Sequence, residues 1–392
     1  MITAKRLVLL LLTAIVIASV GCGSSDFNPS SFKKSTKVPT PVPRPTHVTT
    51  PRPTNTPTPY TYQTMISTIG TWDSGPHRIT TDNSGNIYVC DGGSRIQLFD
   101  PQGNYVSDWG TAGRANREEK VGVFCEDSRG RSVSGNNPEG KVGDIAVDSF
   151  GNVYISKDSW RAILKFDPQG NYLFSWEGRA RQGLGLDGEY YSGDYDDYRF
   201  IEGIAVDNSD RIYVADREFR VFIHDIATAT DESGGKTLHV WSGPICCDPT
   251  ESSLLFNPTD VAVDQYGNVY VADDYVNRIQ KFDSQGNFLL SWGNPGGVAS
   301  GENVDGEFAE PNSIALDKFG NVYVADYRMG RIQKFDSQGN FLAKWGQLEP
   351  FDNYSDDTIA MRPIGLVVDK SGQYIYVIDH QTNTLQKYPS GN

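Results

Sequence analysis

Histidine and cysteine are scarce in this chain, with five of each in 392 residues. Metal centres built on imidazole or thiolate need several such ligands at close spacing, and no such spacing occurs. There is no H-E-x-x-H stretch, no G-x-S-x-G elbow and no array of alternating Cys and His, so the usual sequence signs of zinc hydrolysis and serine-nucleophile chemistry are missing. Basic charge is also short. Against 49 Asp and Glu stand 35 Lys and Arg, and the first 62 positions hold seven of those bases but a single acid, Asp26. Beyond residue 62 the balance is 28 bases to 48 acids. A surface so acidic repels phosphate backbones, which speaks against nucleic acid as a partner. No motif calls for a cofactor, and none is expected.

Long apolar runs are confined to one place, Leu7 to Ala18, preceded by Lys5 and Arg6 and followed by small residues up to Cys22. This is the pattern of an export signal. Ser19-Val20-Gly21-Cys22 resembles a bacterial lipobox, which would make Cys22 a lipidated mature N-terminus; the alternative is an uncleaved helical anchor. Either reading places the remaining chain outside the cytoplasm, with the membrane touched only through this segment. Residues 23–62 read as a stalk, for between Thr36 and Thr61 the chain is nearly all Pro, Thr and small polar residues and cannot bury a core.

From residue 63 to 392 the chain repeats itself. RIQKFDSQGNFL stands at Arg278 to Leu289 and again at Arg331 to Leu342, inside a longer unit seen most plainly from Asn257 to Gly293. Six copies are marked by Asp82, Asp148, Asp207, Asp264, Asp317 and Asp369. In each, four short runs of β-formers are separated by turn signals, which predicts a four-stranded antiparallel meander. The runs are apolar at consecutive positions, so both faces of each sheet must be covered, as when sheets stack radially into a six-bladed β-propeller. The first strands carry small residues suited to a crowded axis. The fourth carry Trp109, Trp176, Trp241, Trp292 and Trp345 where blades diverge. The sixth copy ends after its third strand, and Thr64 to Gly70 fits the missing fourth, which predicts closure of the last blade by an N-terminal strand.

The phrases Gly203 to Asp207 (GIAVD), Gly267 to Asp273 (GNVYVAD) and Arg331 to Asp336 (RIQKFD) resemble NHL repeats. The resemblance implies an all-β propeller and leaves function open. Peptidylhydroxyglycine amidating lyases are similar; in that family the zinc histidines follow Pro at the start of first strands in three blades. Here Pro76-His77 matches, whereas Pro258-Thr259, Pro311-Asn312 and Pro363-Ile364 do not, so the family's metal chemistry is not implied. Ubiquitin ligases that carry NHL domains owe their activity to a RING, which this chain lacks.

In a meander the turns alternate between two ends, so the long insertions, 111–141, 179–200, 244–256, 294–310 and 347–361, share one rim. Loops of that length on a rigid ring are where function usually resides. One of them, Leu186 to Phe200, mixes five aromatic residues with five acids. Tyr190, Tyr191, Asp194, Tyr195 and Asp196 are its candidate contact residues, with calcium as a rival reading that lacks the turn glycine. Blade two departs from the repeat at Lys157, Trp160 and Arg161. Elsewhere Asp ends the second strand (Asp91, Asp216, Asp273, Asp326, Asp379) and Arg opens the third (Arg95, Arg220, Arg278, Arg331), an arrangement that predicts neutralising pairs. The channel mouth is predicted at His77, Arg78, Asp144, Glu202, Asp260 and Asn312, with Gly143, Thr259, Ser313 and Ile364 beside them.

Of the remaining cysteines, Cys90 and Cys125 fall on one rim and could bridge. Cys246 and Cys247 would then form a vicinal disulfide or stay thiols, or bind zinc with His239. Taken together the sequence predicts a binding scaffold at the cell surface whose loop-rich rim engages a protein, peptide or glycan. The alternative is a propeller lyase or hydrolase with a small-molecule site in the central channel.

Overall fold

A computed structural model describes residues 67–69, 72, 75–91, 95–109, 142–157, 162–177, 201–217, 219–226, 236–242, 254–294, 304–346 and 361–391. These form six four-stranded antiparallel sheets with no helix among the described residues. Blade one comprises β2 (Pro76–Thr81), β3 (Ile87–Asp91), β4 (Arg95–Phe99) and β5 (Tyr105–Trp109). Blade two has β6 (Val142–Val147), β7 (Val153–Lys157), β8 (Ala162–Phe166) and β9 (Tyr172–Glu177), and blade three β10 (Ile201–Val206), β11 (Arg211–Asp216), β12 (Arg220–Asp225) and β13 (Lys236–Ser242). Blade four follows with β14 (Pro258–Val263), β15 (Val269–Asp273), β16 (Arg278–Phe282) and β17 (Phe288–Gly293), and blade five with β18 (Pro311–Leu316), β19 (Val322–Asp326), β20 (Arg331–Phe335) and β21 (Phe341–Gly346). Blade six, β22 (Pro363–Val368), β23 (Tyr374–Asp379) and β24 (Thr384–Pro389), is completed by β1 (Ser67–Ile69).

That completion is the predicted closure. β1 pairs antiparallel with β24 in the register Ser67 to Lys387, Thr68 to Gln386 and Ile69 to Leu385. Of the Thr64 to Gly70 run the sequence marked, residues 64–66 and 70 lie outside the described residues. Each first strand contacts the first strands of both neighbours, β2 with β22 as well as with β6, so the ring is closed.

The core is divided among the six blade-to-blade seams. At the seam of blades four and five, Tyr270, Ala272 and Ile279 meet Ile314, Val322 and Val324. At the seam of six and one, Tyr376, Ile378 and Leu385 meet Ile79, Val89 and Phe99. The buried alternation on both faces of each sheet follows directly from the consecutive apolar residues of the middle strands.

The six marker aspartates hold the turns between first and second strands. In Asp317, Oδ1 accepts from the amides of Phe319 and Asn321, both at 2.9 Å, and Oδ2 from Asn321 Nδ2 at 2.7 Å and Tyr323 Oη at 3.2 Å. A carboxylate with four donors replaces the missing backbone partners of a tight turn. The repeated phrase uses the same device between third and fourth strands: Asp336 Oδ1 accepts from the amides of Gln338 and Asn340, and Oδ2 from Asn340 Nδ2.

The glycine of that second turn has another task. Gly339 adopts φ 79°, and a Cβ there would lie 2.8 Å from Trp292 in the preceding blade. Gly286 stands in the same relation to Trp241, and Gly170 to Trp109. Each tryptophan also packs on the third-strand Phe of that next blade, Trp292 on Phe335 at 5.7 Å and Trp241 on Phe282 at 5.5 Å. Trp109, Trp241 and Trp292 are therefore latches between blades.

Candidate functional site

Every first strand breaks register with its neighbour just after it begins, between Pro76 and Arg78, Val142 and Ile145, Ile201 and Gly203, Pro258 and Asp260, Pro311 and Ser313, and Pro363 and Gly365. A bulge re-aims side chains and frees backbone groups. Six such bulges around the axis shape the channel mouth and explain why adjacent residues, Thr259 with Asp260 and Asn312 with Ser313, gather there rather than alternate ones.

The channel is a cavity of about 210 Å³. Arg78, Asp144, Glu202, Asp260 and Asn312 line it together with Thr259, Ser313 and Ile364. His77 is not part of that lining; its carbonyl accepts from Arg78 Nη1 at 3.1 Å. The rim candidates Tyr190, Tyr191, Asp194, Tyr195, Asp196, Trp160 and Arg161 lie outside the described residues, as do Cys22, Cys125, Cys246 and Cys247. Cys90 is buried at the end of β3. Among the described residues no group of three or more His, Cys, Asp or Glu side chains is placed to hold a metal ion.

Most of the polar groups at the mouth join one blade to the next. Asp144 Oδ2 accepts from the Ile204 amide at 2.9 Å, and Asp260 Oδ2 from the Ile314 amide at 2.9 Å. Ser313 Oγ accepts from the Leu366 amide at 3.3 Å, and Thr259 Oγ1 donates to the Pro311 carbonyl at 2.9 Å. First strands have no sheet partner on the axial side, so their inward amides require side chains from a neighbour. Arg78 spans the other gap: Nε donates to the Gly143 carbonyl, Nη1 also reaches the Ile364 carbonyl at 3.5 Å, and Nη2 stands 4.0 Å from Glu202. Glu202 is in turn 3.2 Å from Arg217 Nη1, and Arg217 is 3.8 Å from Asp274. Neither Arg217 nor Asp274 belongs to a repeated phrase, so the sequence carried no sign of them.

One positive and three negative side chains thus converge on the axis. Burial pushes the Asp144 carboxyl well up, and the nearby Asp260 charge adds to this while Arg78 opposes it. Burial likewise pushes Asp260 up to about 6, against the hydrogen bonds it accepts from Ile314, Ser313 and Val261. Burial thus favours the neutral form of both acids. The mouth can therefore receive a polar ligand or exchange a proton with it.

The expected strand-end ion pair is seen in blades three and five, and other partners are seen in blades one and four. Arg220 lies 2.6 Å from Asp216 and Arg331 3.0 Å from Asp326, all four buried. In blade four Asp273 accepts from the amides of Phe256 and Asn257, while Arg278 Nη2 donates to the Leu254 carbonyl at 2.5 Å. In blade one Arg95 meets Asp108 at 3.1 Å. Lys157 is buried at the strand end of blade two.

The architecture defines a six-bladed β-propeller. Comparison with known proteins agrees: the family model described as NHL repeat matches residues 257–282 and 308–335. The two matched segments are NHL repeats and fall in blades four and five. NHL repeat-containing protein 3 of Mus musculus is 28% identical over 51% of this chain and 54% of its own. A probable peptidyl-alpha-hydroxyglycine alpha-amidating lyase of Caenorhabditis elegans is 25% identical over 49% of this chain and 56% of its own. The chain thus spans about half the length of these relatives. A solved structure from Bacteroides thetaiotaomicron, titled as a protein of unknown function, superposes with a TM-score of 0.51 at 13% identity, over 83% of this chain and 75% of that one. It supports the fold alone.

Proposed function

We propose that the chain is an extracytoplasmic binding scaffold, in which an NHL propeller offers the loop-rich rim to a protein, peptide or glycan. The observation that carries this reading is the division of labour between the two kinds of polar residue. The axial groups are engaged in holding blade to blade and the strand-end pairs in joining strands within a blade, whereas the connectors of changing length, from β5 to β6, β9 to β10, β13 to β14, β17 to β18 and β21 to β22, all leave from one rim. Variation in length is concentrated in these connectors, outside the repeated strands. The segment 1–22 would hold the propeller at the membrane through lipidated Cys22 or an uncleaved helix, with 23–62 as stalk, and a Cys90–Cys125 bridge would fasten the first insertion.

The test is cross-linking capture from envelope extracts with the mature protein beside a variant shortened in 179–200. A partner recovered by the parent and lost by the variant supports the reading; recovery that ignores the deletion removes the rim from it. Labelled palmitate taken up equally by the parent and Cys22→Ala would refute the lipid anchor. An unchanged mass of alkylated protein before and after reduction would refute the bridge.

A second reading is favoured by the axial carboxyls. Asp144 and Asp260, both raised by burial in a cavity of about 210 Å³ beside Arg78, have the character of a proton-transferring site, and one relative is named as a lyase. If this reading is right, Asp260→Asn abolishes turnover of whatever small molecule the channel accepts while leaving rim capture intact.

A further inference from the structure

The rim opposite the insertions carries a surface of its own. At that end the first and second strands of each blade are joined by a tight turn with two residues at its tip. The tips read Asn83-Ser84, Ser149-Phe150, Asn208-Ser209, Gln265-Tyr266, Lys318-Phe319 and Lys370-Ser371. Among the described residues, Tyr266 is 77% exposed, Phe150 74% and Phe319 63%, three of the four most exposed large apolar side chains. The fourth, Tyr275 at 71%, belongs to the opposite rim.

These aromatics are not carried by loose loops. The amide of each donates at 2.9 Å to the marker aspartate of its own turn, Phe150 to Asp148, Tyr266 to Asp264 and Phe319 to Asp317. The blade-two tip is also fastened to blade three, where Ser149 Oγ reaches Asp210 at 3.0 Å. Rings held out into water on rigid turns lose little freedom when something lies against them. The first tip residues Asn83, Ser149, Asn208 and Lys370 line the lower end of the channel, with Asp207 beside them. The centre is therefore polar, and the second tip residues are aromatic on blades two, four and five and serine on the other three.

We infer that this rim binds a carbohydrate chain, stacked on Tyr266 and Phe319 of the adjoining blades four and five, with its hydroxyls directed to the polar channel end. A pyranose presents an apolar C–H face and a girdle of hydroxyls that both donate and accept. Flat aromatic faces match the first, and neutral amide and hydroxyl side chains match the second. The marker aspartates add little repulsion, since their oxygens accept from the turn itself. This surface is separate from the insertion-bearing rim, so failure of the partner capture described above leaves it standing.

The test uses the mature protein and hexaoses of the cello, chito and xylo series, followed by calorimetry and by tryptophan-independent ligand-observed NMR. Binding of one of them at about 1 mM or below, weakened at least tenfold in Tyr266→Ala/Phe319→Ala and retained in Tyr275→Ala, is the expected result. Binding that survives the double substitution, or no binding by any hexaose, overturns the inference. So does sedimentation with phosphatidylcholine vesicles, or self-association with rising concentration, that the same double variant abolishes; these would assign the aromatics to a membrane or to a second copy. Urea unfolding of the double variant matching the parent secures that the turns remain folded.

Discussion

Replacing Gly339 by alanine tests the latch between blades most directly, because the same blade contains its own control. Gly339 and Gly320 occupy equivalent Asp-x-x-Gly-Asn turns of blade five, at φ 79° and 84°. An alanine at either incurs the left-handed penalty of about 1–2 kcal/mol. The surroundings differ: at 320 the new methyl meets only Ser337 Cβ at 3.9 Å, whereas at 339 it meets the Trp292 ring at 2.8 Å. Trp292 is buried against Phe335 and Tyr270, so it cannot yield without losing those contacts. Overpacking of this kind costs about 1–3 kcal/mol. Gly339→Ala is therefore expected to lose roughly 2–5 kcal/mol against 1–2 for Gly320→Ala. In a Trp292→Ala background, itself about 3–5 kcal/mol less stable, the Gly339 substitution should fall to the cost of its control, a non-additivity that marks direct contact. Urea unfolding followed by far-ultraviolet circular dichroism reads all four variants. Equal losses at 320 and 339, or strict additivity with Trp292→Ala, would refute the latch.

Deleting residues through Gly70 removes β1 and leaves β24 as an open edge, so the melting temperature should fall and aggregates should appear in size-exclusion chromatography; an unchanged profile would show that closure does not stabilise the ring. Arg331→Ala strands buried Asp326 and the Glu307 and Val304 carbonyls and should cost about 3–5 kcal/mol, whereas Arg95→Ala, from a more exposed pair, should cost less than about 1 kcal/mol by denaturant titration. Burial holds Asp260, Asp273 and Asp326 at about 6 in the folded protein against 3.8 unfolded, so between those values the folded state binds more protons and stability falls as pH rises, levelling off above. Asp100, lowered by hydrogen bonds from Asn104, acts in the other sense: its contribution is present above 3.8 and is lost as the pH drops below. Urea midpoints should thus pass through a maximum on the acid side of 6, and Asp260→Asn should flatten the decline; midpoints that climb from pH 4 to 7 would contradict the assignment.

Much of this was legible in the letters because a repeat states its pattern six times. Strand order, closure by an N-terminal segment and the packing role of the tryptophans follow from period and residue size. What the tryptophans pack on was not legible, since Gly339 and Trp292 meet only when blade five is set beside blade four. The axial residues could be named by aligning first strands, but not their partners. That Asp144 bonds Ile204 and Asp260 bonds Ile314 depends on bulges and on the spacing of neighbouring strands. The aromatic tips were hidden for the opposite reason. Phe150, Tyr266 and Phe319 stand in a repeated phrase and read as repeat vocabulary, and only their exposure sets them apart.

The pairing of Ser67 with Lys387 joins residues 320 positions apart and has a kinetic meaning. Contacts so distant in sequence form late, because the chain between them must first be organised. During synthesis blades one to five can each assemble from local meanders, but the sixth stays incomplete until the residues of β24 are available. Until then the partly built ring exposes the seams that will join blade six to its neighbours. The ring can therefore shut only after the residues of β24 have been made, and β1, though made first, is among the last strands to find its place.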